Sequence, residues 1–228
     1  MRALSKILYP PKCVFCDEMM RIDAELAICD NCSTEVPLHM YDYLMENRRP
    51  GYVNGCDRVM CGLWYSGMVK DSMRRYKFGH RPEYGKTLGA ILAEKVARVE
   101  GFGAFDVVTE VPLSRVREHV RGYSQAKILA EYVAMYLNAE FVDGLLVMRR
   151  DAQRQSGLNI AERKRNAGGA YLINEDKAYH VSGQSILLID DISTTLSTLN
   201  ACAALLKERG ATSVVGAVAA SALMGKAL

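Results

Sequence analysis

Residues 186–198 read ILLIDDISTTLST, and this segment is the strongest indication of the fold class in the chain. Its first four residues are all apolar, which is typical of a central strand in a parallel sheet that is buried on both faces. Asp190 and Asp191 follow at the carboxyl end, and a hydroxyl-rich run then leads into a helical pattern. Ligands of open α/β sheets bind at the carboxyl ends of strands, so the segment predicts a binding site as well as a strand.

The hydroxyl-rich run suits a phosphate group. A helix N-terminus offers free N–H groups and a partial positive charge, and both favour an anion. The aspartates can accept hydrogen bonds from sugar hydroxyls, or lie near a magnesium ion through water. We therefore predict a sugar-phosphate site. The alternatives are a solvated strand end for the acid pair and ordinary helix capping for the Ser/Thr run.

Further strand and helix patterns alternate along the rest of the chain. We predict strands at 59–65, 106–111, 186–189 and 214–219, and another at 141–147 that is broken by Asp143-Gly144. Helices are predicted at 87–99, after the N-cap residue Ser124, and from 199 to Gly210. This alternation predicts an α/β fold, a parallel sheet with helices on both faces and right-handed crossovers. Residues 37–55 contain Pro and Gly and predict an irregular connection.

Four of the seven cysteines form two C-x2-C pairs separated by twelve residues, namely Cys13, Cys16, Cys29 and Cys32. Two such pairs supply four thiolates to one tetrahedral site, the arrangement that structural zinc prefers. Two disulfides in an oxidised module are the alternative, and a redox site needs only one pair. Cys56, Cys61 and Cys202 are expected to be buried thiols.

Length and composition indicate one α/β domain behind a small module. The chain has 228 residues, 50% of them apolar, and a net charge of +3, so net charge alone does not mark a nucleic-acid binder. We expect a zinc module with its linker at 1–50 and the α/β domain at 51–228. The sequence contains no apolar span of membrane length and no secretory signal pattern, so we expect a cytoplasmic protein.

Three further motifs make the chain resemble a known family. They are Tyr76-Lys77-Phe78-Gly79, then Val111-Pro112-Leu113-Ser114 with Arg121-Gly122-Tyr123-Ser124-Gln125, and finally Arg149-Arg150 with Gln155, Arg163 and Asn166. Residues 186–198 resemble the loop of type I phosphoribosyltransferases that binds 5-phosphoribosyl-1-pyrophosphate (PRPP). Together with the four-Cys module, these motifs resemble the ComF family of competence proteins, which is related to the amidophosphoribosyltransferases.

The resemblance implies roles for individual residues. Asp190 and Asp191 would hold the ribose hydroxyls of PRPP, with magnesium accompanying the ligand. The rest of the implied PRPP loop is Ser193, Thr194, Thr195, Leu196, Ser197 and Thr198. The implied pyrophosphate site is Val111, Pro112, Leu113, Arg115 and Arg121. Family chemistry displaces pyrophosphate through an oxocarbenium-like state, and no catalytic residue is assigned here.

Leu196 departs from the family pattern. The phosphoribosyltransferase loop usually has glycine at this position, in Thr-Thr-Gly-x-Thr. Glycine lets the backbone approach phosphate closely and tolerates positive φ. The leucine predicts a reshaped loop or weaker phosphate binding, and it leaves open whether the chain is an enzyme. We predict that Leu196→Gly raises PRPP affinity.

Two segments are locally basic. Residues 70–86 and 146–165 each contain six basic residues against two acidic ones. Basic and aromatic side chains together can grip single-stranded nucleic acid, and the candidates are Lys77, Arg149, Arg150, Arg154 and Arg163. The alternative is a solvated face, or an active-site loop whose arginines meet pyrophosphate.

Three functions follow from these observations. In the first, favoured by the ComF resemblance, the protein binds PRPP and handles single-stranded DNA during natural transformation, with competence-machinery proteins as partners. In the second, it is an active phosphoribosyltransferase acting on an unknown amine or nucleobase. In the third, it senses PRPP without turnover.

Overall fold

The computed structural model describes residues 10–37, 43–44, 55–98, 104–149 and 169–222. The elements in chain order are α1 (Asp30–Glu35), β1 (Tyr43–Leu44), β2 (Arg58–Trp64), α2 (Gly67–Phe78), α3 (Tyr84–Ala97), β3 (Val107–Glu110), α4 (Arg115–Arg121), α5 (Gln125–Leu137), β4 (Glu140–Phe141), β5 (Leu146–Met148), β6 (Tyr171–Ile173), β7 (Ser185–Ser193), α6 (Ser197–Glu208) and β8 (Ser213–Ser221). A 3-10 helix, Glu175–His180, precedes β7.

The main sheet has the strand order β1-β2-β8-β7-β3-β4. The five strands from β2 to β4 run parallel, and β1 adds an antiparallel edge beside β2. The apolar run at the start of β7 lies in the centre, paired with β3 on one side and β8 on the other. Its four residues are completely buried, as expected for a strand covered on both faces.

Helices cover both faces of this sheet. Leu187 and Ile189 belong to one buried cluster, which includes residues of α3 and α5 such as Leu92 and Leu129. Ile186 and Leu188 point to the other cluster, which they share with Leu199 and Leu206 of α6. The predicted α/β class, a parallel sheet with helices on both faces, is therefore confirmed, and the side-chain alternation of β7 explains why two layers form.

The cysteine-rich module packs against the helical layer. Cys13, Val14 and Phe15 are buried in the same cluster as the core residues of α3 and α5. Arg75 of α2 donates from Nη2 to the carbonyl oxygens of Phe15 (2.6 Å) and Val14 (3.3 Å). Tyr84 of α3 donates from its hydroxyl to Asp17 Oδ1 at 2.6 Å. The module thus shares a core with the α/β domain, and the predicted division at residue 50 stays a prediction.

The break predicted at Asp143-Gly144 within 141–147 separates two strands that join different sheets. β4 pairs with β3 in the main sheet, and β5 pairs with β6 in a separate antiparallel ribbon. The chain turns between them at Asp143-Gly144, where Gly144 has φ +60°, a conformation that glycine adopts without strain. Helix α2 was not predicted, because its basic residues mask its apolar positions Val69, Met73 and Tyr76.

None of the helices built from the described ranges is both long and apolar enough to cross a membrane.

Candidate zinc site and anion-binding cleft

The four clustered cysteines converge on one point. Their Sγ atoms all lie within 4.8 Å of one another, and those of Cys16 and Cys29 are 3.7 Å apart. Zn–S bonds of about 2.3 Å place tetrahedral sulfurs about 3.8 Å apart, so the cluster fits zinc. The Cys29 amide donates to Cys13 Sγ (3.4 Å) and the Cys32 amide to Cys29 Sγ (3.5 Å), as suits sulfurs that carry negative charge. Four thiolates leave no open position, so the site is structural.

The environment of the thiols differs across the cluster. Burial opposes ionisation of Cys13, but backbone amides of Cys16, Cys29 and Phe15 outweigh it and lower the pKa of Cys13 to about 7. Burial and the neighbouring thiols raise the pKa of Cys32 well above its ordinary value. The remaining cysteines Cys56, Cys61 and Cys202 are buried, as predicted.

A cleft of about 200 Å³ opens at the carboxyl ends of β3 and β7. It lies beside the first residues of α5, where the Ser124 hydroxyl caps the helix by accepting from the Lys127 amide at 3.4 Å. The lining residues are Lys77, Val111, Pro112, Leu113, Arg117, Arg121, Ser124, Gln125, Ala126, Tyr171, Asp190, Asp191, Ile192 and Thr198. Segments that are far apart in sequence, including both predicted parts of the PRPP site, therefore share one cleft.

The acid pair lies on one wall of this cleft. The Asp191 amide donates to Asp190 Oδ1 at 2.8 Å, and the Ile192 amide donates to Asp191 Oδ1 at 2.6 Å. Asp190 keeps some contact with solvent, but the protein around it removes most of its hydration. Burial raises the pKa of Asp190 to about 8, and the Asp191 carboxylate adds to the rise.

Two cations face Asp191. Lys77 Nζ lies 2.8 Å from Asp191 Oδ2, and Arg121 Nη1 lies 3.9 Å from the same oxygen. Arg121 also donates to Gln125 Oε1 at 2.8 Å, and its Cζ lies 5.3 Å from the centre of the Phe78 ring. Direct coordination of magnesium by Asp191 does not fit this arrangement, because the Lys77 ammonium already lies against Oδ2 and would repel the ion. Magnesium near the acid pair through water, or bound with PRPP, stays a prediction.

The hydroxyl-rich turn adjoins the cleft. Thr198 lines the cleft, while Thr194 and Thr195 are exposed, and the Thr195 and Ser197 hydroxyls are hydrogen-bonded at 2.7 Å. Leu196 has φ +57° and ψ 0°, the left-handed conformation that glycine would take at this position. Its side chain packs against the buried cluster under α6, and Leu196 is absent from the described residues that line the cleft. The turn keeps a glycine-like backbone without glycine.

The residues predicted to bind pyrophosphate lie in different places. Residues 111–113 and Arg121 line the cleft, whereas Arg115 is absent from its described lining and Arg117 lines it instead. Their binding of pyrophosphate stays a prediction. Residues two apart on a helix point in different directions, so only one of these arginines can face the cleft. No role was predicted from the sequence for Arg117, Gln125 or Tyr171. The N-cap pattern at Ser124 was the available signal for Gln125.

Glu110 is a buried carboxylate at the end of β3 that the sequence analysis did not single out. Its Oε1 accepts from the Gly144 amide at 2.9 Å, and its Oε2 is also buried. Burial raises the pKa of Glu110 to about 7, and the nearby Asp143 carboxylate contributes. Glu110 is the last residue of β3 and directly precedes Val111 of the cleft. Its hydrogen bond with the Gly144 amide therefore connects this end of β3 to the turn between β4 and β5.

The predicted nucleic-acid residues are spread over different surroundings. Lys77 lies in the cleft against Asp191, and Arg149 is exposed just after β5. Arg150, Arg154 and Arg163 lie outside the described residues. Phe78 beside Lys77 is 62% exposed, so an aromatic ring is available at the cleft rim.

Known proteins resemble the chain over its module and over most of its length. Residues 4–41 match the family model of the double zinc ribbon domain. Competence protein F of Haemophilus influenzae is 23% identical over 87% of this chain and 92% of its own length. The DNA utilization protein YhgH of Escherichia coli K12 is 28% identical over 66% of each chain. Competence protein ComFC of Bacillus subtilis is 30% identical over 64% of this chain and 56% of its own length.

Among solved structures, the glutamine PRPP amidotransferase of B. subtilis is similar over 61% of this chain and 26% of its own, with 23% identity and a TM-score of 0.40. Fold and site together define an α/β protein with a parallel sheet and an N-terminal four-cysteine zinc module. The chain is thus similar to competence protein F, to ComFC and to YhgH over most of its length, and its first residues match the double zinc ribbon domain.

Proposed function

We propose that the chain binds a phosphorylated ribose, PRPP in particular, in the cleft at the carboxyl ends of β3 and β7. One observation carries the proposal: the acid pair and Thr198, the last residue of the hydroxyl-rich turn, share a cleft with Lys77, Arg117 and Arg121. Cations, amides and hydroxyls suit phosphate oxygens, and aspartates suit ribose hydroxyls.

We assign each part of the ligand to residues in or beside the cleft. The 5-phosphate is assigned to the turn at 194–198, where the amides at the start of α6 have no helical partners. The ribose hydroxyls are assigned to Asp190 and Asp191. The pyrophosphate group is assigned to residues 111–113 with Arg117 and Arg121, whose charges neutralise it without help from a metal at the acid pair.

Handling of single-stranded DNA is the second part of the proposal. The names of the relatives, competence protein and DNA utilization protein, favour it. The basic segment at 146–165 provides charge for phosphates, and the exposed Phe78 ring provides a stacking surface. We place this activity in the cytoplasm, with competence-machinery proteins as partners.

Turnover is a second candidate function, and the left-handed backbone of Leu196 favours it because the turn retains the conformation that glycine would supply. Calorimetry with PRPP and with ribose 5-phosphate tests binding, and a pyrophosphate-release assay with and without single-stranded DNA tests turnover. We expect the wild type to bind both PRPP and ribose 5-phosphate, and we expect Thr195→Val to lose this binding. Absence of binding to both ligands contradicts the proposal, and binding without release favours a sensor.

The DNA part has its own experiment. Fluorescence anisotropy with a labelled single strand, measured over a range of salt, gives the number of phosphate contacts from the slope. Joint charge reversal of Arg149, Arg150 and Arg154 should flatten the slope by about two to three charges. The reversal Arg98→Glu, on an exposed arginine outside both basic segments, is the control. An unchanged slope in the triple variant removes this segment from the DNA surface.

A further inference from the structure

Lys77 and Asp191 form the closest ion pair in the cleft. Lys77 Nζ lies 2.8 Å from Asp191 Oδ2, and the two side chains are only 17% and 11% exposed. Lys77 belongs to the last turn of α2, so the pair joins this helix to the carboxyl end of β7. A contact of this length between mostly buried groups is a charge-assisted hydrogen bond, not a loose surface pair.

Arg121 cannot take the place of Lys77. Its Nη1 is 3.9 Å from Asp191 Oδ2, beyond hydrogen-bond distance, and the same atom donates to Gln125 Oε1 at 2.8 Å. Its guanidinium also lies against the Phe78 ring. Lys77 is therefore the cation that neutralises Asp191 directly.

This contact conflicts with a divalent ion at the same carboxylate. A magnesium ion binds carboxylate oxygen at about 2.1 Å and keeps a rigid octahedral shell of further ligands. The ammonium group of Lys77 already stands at Asp191 Oδ2, and the Ile192 amide donates to Oδ1. A metal at Asp191 would have to expel Lys77, which would leave its charge without a partner in a mostly buried place.

We propose that the Lys77 ammonium is the resident cation of the cleft, standing where a divalent ion would otherwise bind Asp191, so that the ribose phosphate end of the ligand binds without a divalent metal. This inference rests on the function proposed above. Lys77 thereby becomes a specificity-determining residue of the sugar site and not part of the DNA surface.

The test uses ribose 5-phosphate, which lacks the diphosphate that itself chelates magnesium. Calorimetry is done on the zinc-loaded full chain, in excess magnesium chloride and again in magnesium-free buffer. The variants are Lys77→Met, which keeps the length of the side chain without its charge, and Lys77→Arg, which keeps the charge. Circular dichroism checks that each variant folds. Electron paramagnetic resonance of added Mn²⁺ counts bound metal independently of any sugar.

We expect the wild type to bind ribose 5-phosphate equally, within about twofold, in both buffers. In magnesium-free buffer, the affinity of Lys77→Met for ribose 5-phosphate should be lower than that of the wild type by about tenfold or more, while the affinity of Lys77→Arg stays closer to the wild type. Lys77→Met should also gain a Mn²⁺ site, and the double variant Lys77→Met/Asp191→Asn should lack it. A wild type that binds the sugar only with magnesium, or a Lys77→Met variant that matches it without magnesium, overturns the inference. A wild type that binds no sugar in either buffer refutes the proposed function, and Mn²⁺ bound to wild type at Asp191 then refutes the lysine role separately.

Discussion

The backbone N–H of Leu196 donates to the Ser193 side-chain oxygen at 3.2 Å, and this bond closes the hydroxyl-rich turn between β7 and α6. Ser193 is itself fixed, because its carbonyl oxygen accepts from the Ser221 hydroxyl at 3.0 Å on the neighbouring strand β8. The turn is therefore anchored to the sheet through Ser193. This explains how a leucine stays in a left-handed conformation that costs a non-glycine residue about 1–2 kcal/mol.

Replacement of Leu196 by glycine should raise the affinity for PRPP by about two- to fivefold. Glycine removes the Cβ that restricts the backbone near the phosphate, so the turn can close further on the ligand. The gain is modest because the leucine side chain packs on the core and does not fill the cleft. Calorimetry with PRPP measures it.

Leu196→Ala is the matched control. Alanine keeps the Cβ and the left-handed cost while losing most of the packing, so its affinity should remain within about twofold of the wild type. If Leu196→Gly binds PRPP no better than the wild type, the glycine-like turn is not what limits phosphate binding.

Loss of one zinc ligand should remove the metal. We expect about one zinc per chain in protein purified without chelators, and Cys13→Ser or Cys29→Ser should lose it, because three thiolates and an alcohol hold zinc poorly. Elemental analysis measures the metal content. Cys202→Ala is the control, because Cys202 is buried in the hydrophobic core beneath α6 and is not one of the four clustered cysteines. This variant should retain zinc. Wild-type protein without metal would argue against the zinc site.

Arg75 should hold the zinc module on the α/β domain. Arg75→Met removes the bonds to the Phe15 and Val14 carbonyls, and we expect the free energy of unfolding to fall by about 1–3 kcal/mol. The neighbouring Arg74→Met, at an exposed position, should change it little. Urea unfolding gives both values, and zinc transfer to a chelator should be faster only in Arg75→Met. Equal behaviour of the two variants would mean that packing alone docks the module.

Glu110 should make stability fall as the pH rises. Burial raises its pKa to about 7, so the folded protein holds a proton that the unfolded chain releases near the ordinary value of 4.5. Its stabilising contribution is complete below that ordinary value and is lost as the pH rises through about 7. Asp190, with its pKa raised to about 8, acts in the same direction.

Glu110→Gln tests this directly. Between about pH 5 and about pH 8, the free energy of unfolding should fall by about 1–3 kcal/mol less in the variant than in the wild type. The decrease in the free energy of unfolding that is due to Asp190 should remain in the variant. Glu118→Gln, at an exposed glutamate of α4, should keep the wild-type pH dependence. An identical pH dependence in Glu110→Gln would show that Glu110 stays ionised in the folded protein.

The features that depend on residues close together in the sequence could be predicted from it. The apolar run of β7, the Ser124 N-cap and the C-x2-C pairs each depend on neighbours along the chain, and the structure agrees with each of them. Arg117 facing the cleft in place of Arg115 was not predictable, because that choice depends on how α4 is rotated about its axis. The pairing of Lys77 with Asp191 joins positions far apart in sequence, and no local pattern encodes it.

A crystal structure of the protein with ribose 5-phosphate would show whether the cleft is a sugar-phosphate site. We predict that the phosphate lies at the turn of residues 194–198, within hydrogen-bond distance of its amides and hydroxyls, and that the ribose hydroxyls lie at Asp190 and Asp191. A phosphate bound anywhere outside this cleft, with the turn and the acid pair free of ligand, would contradict it.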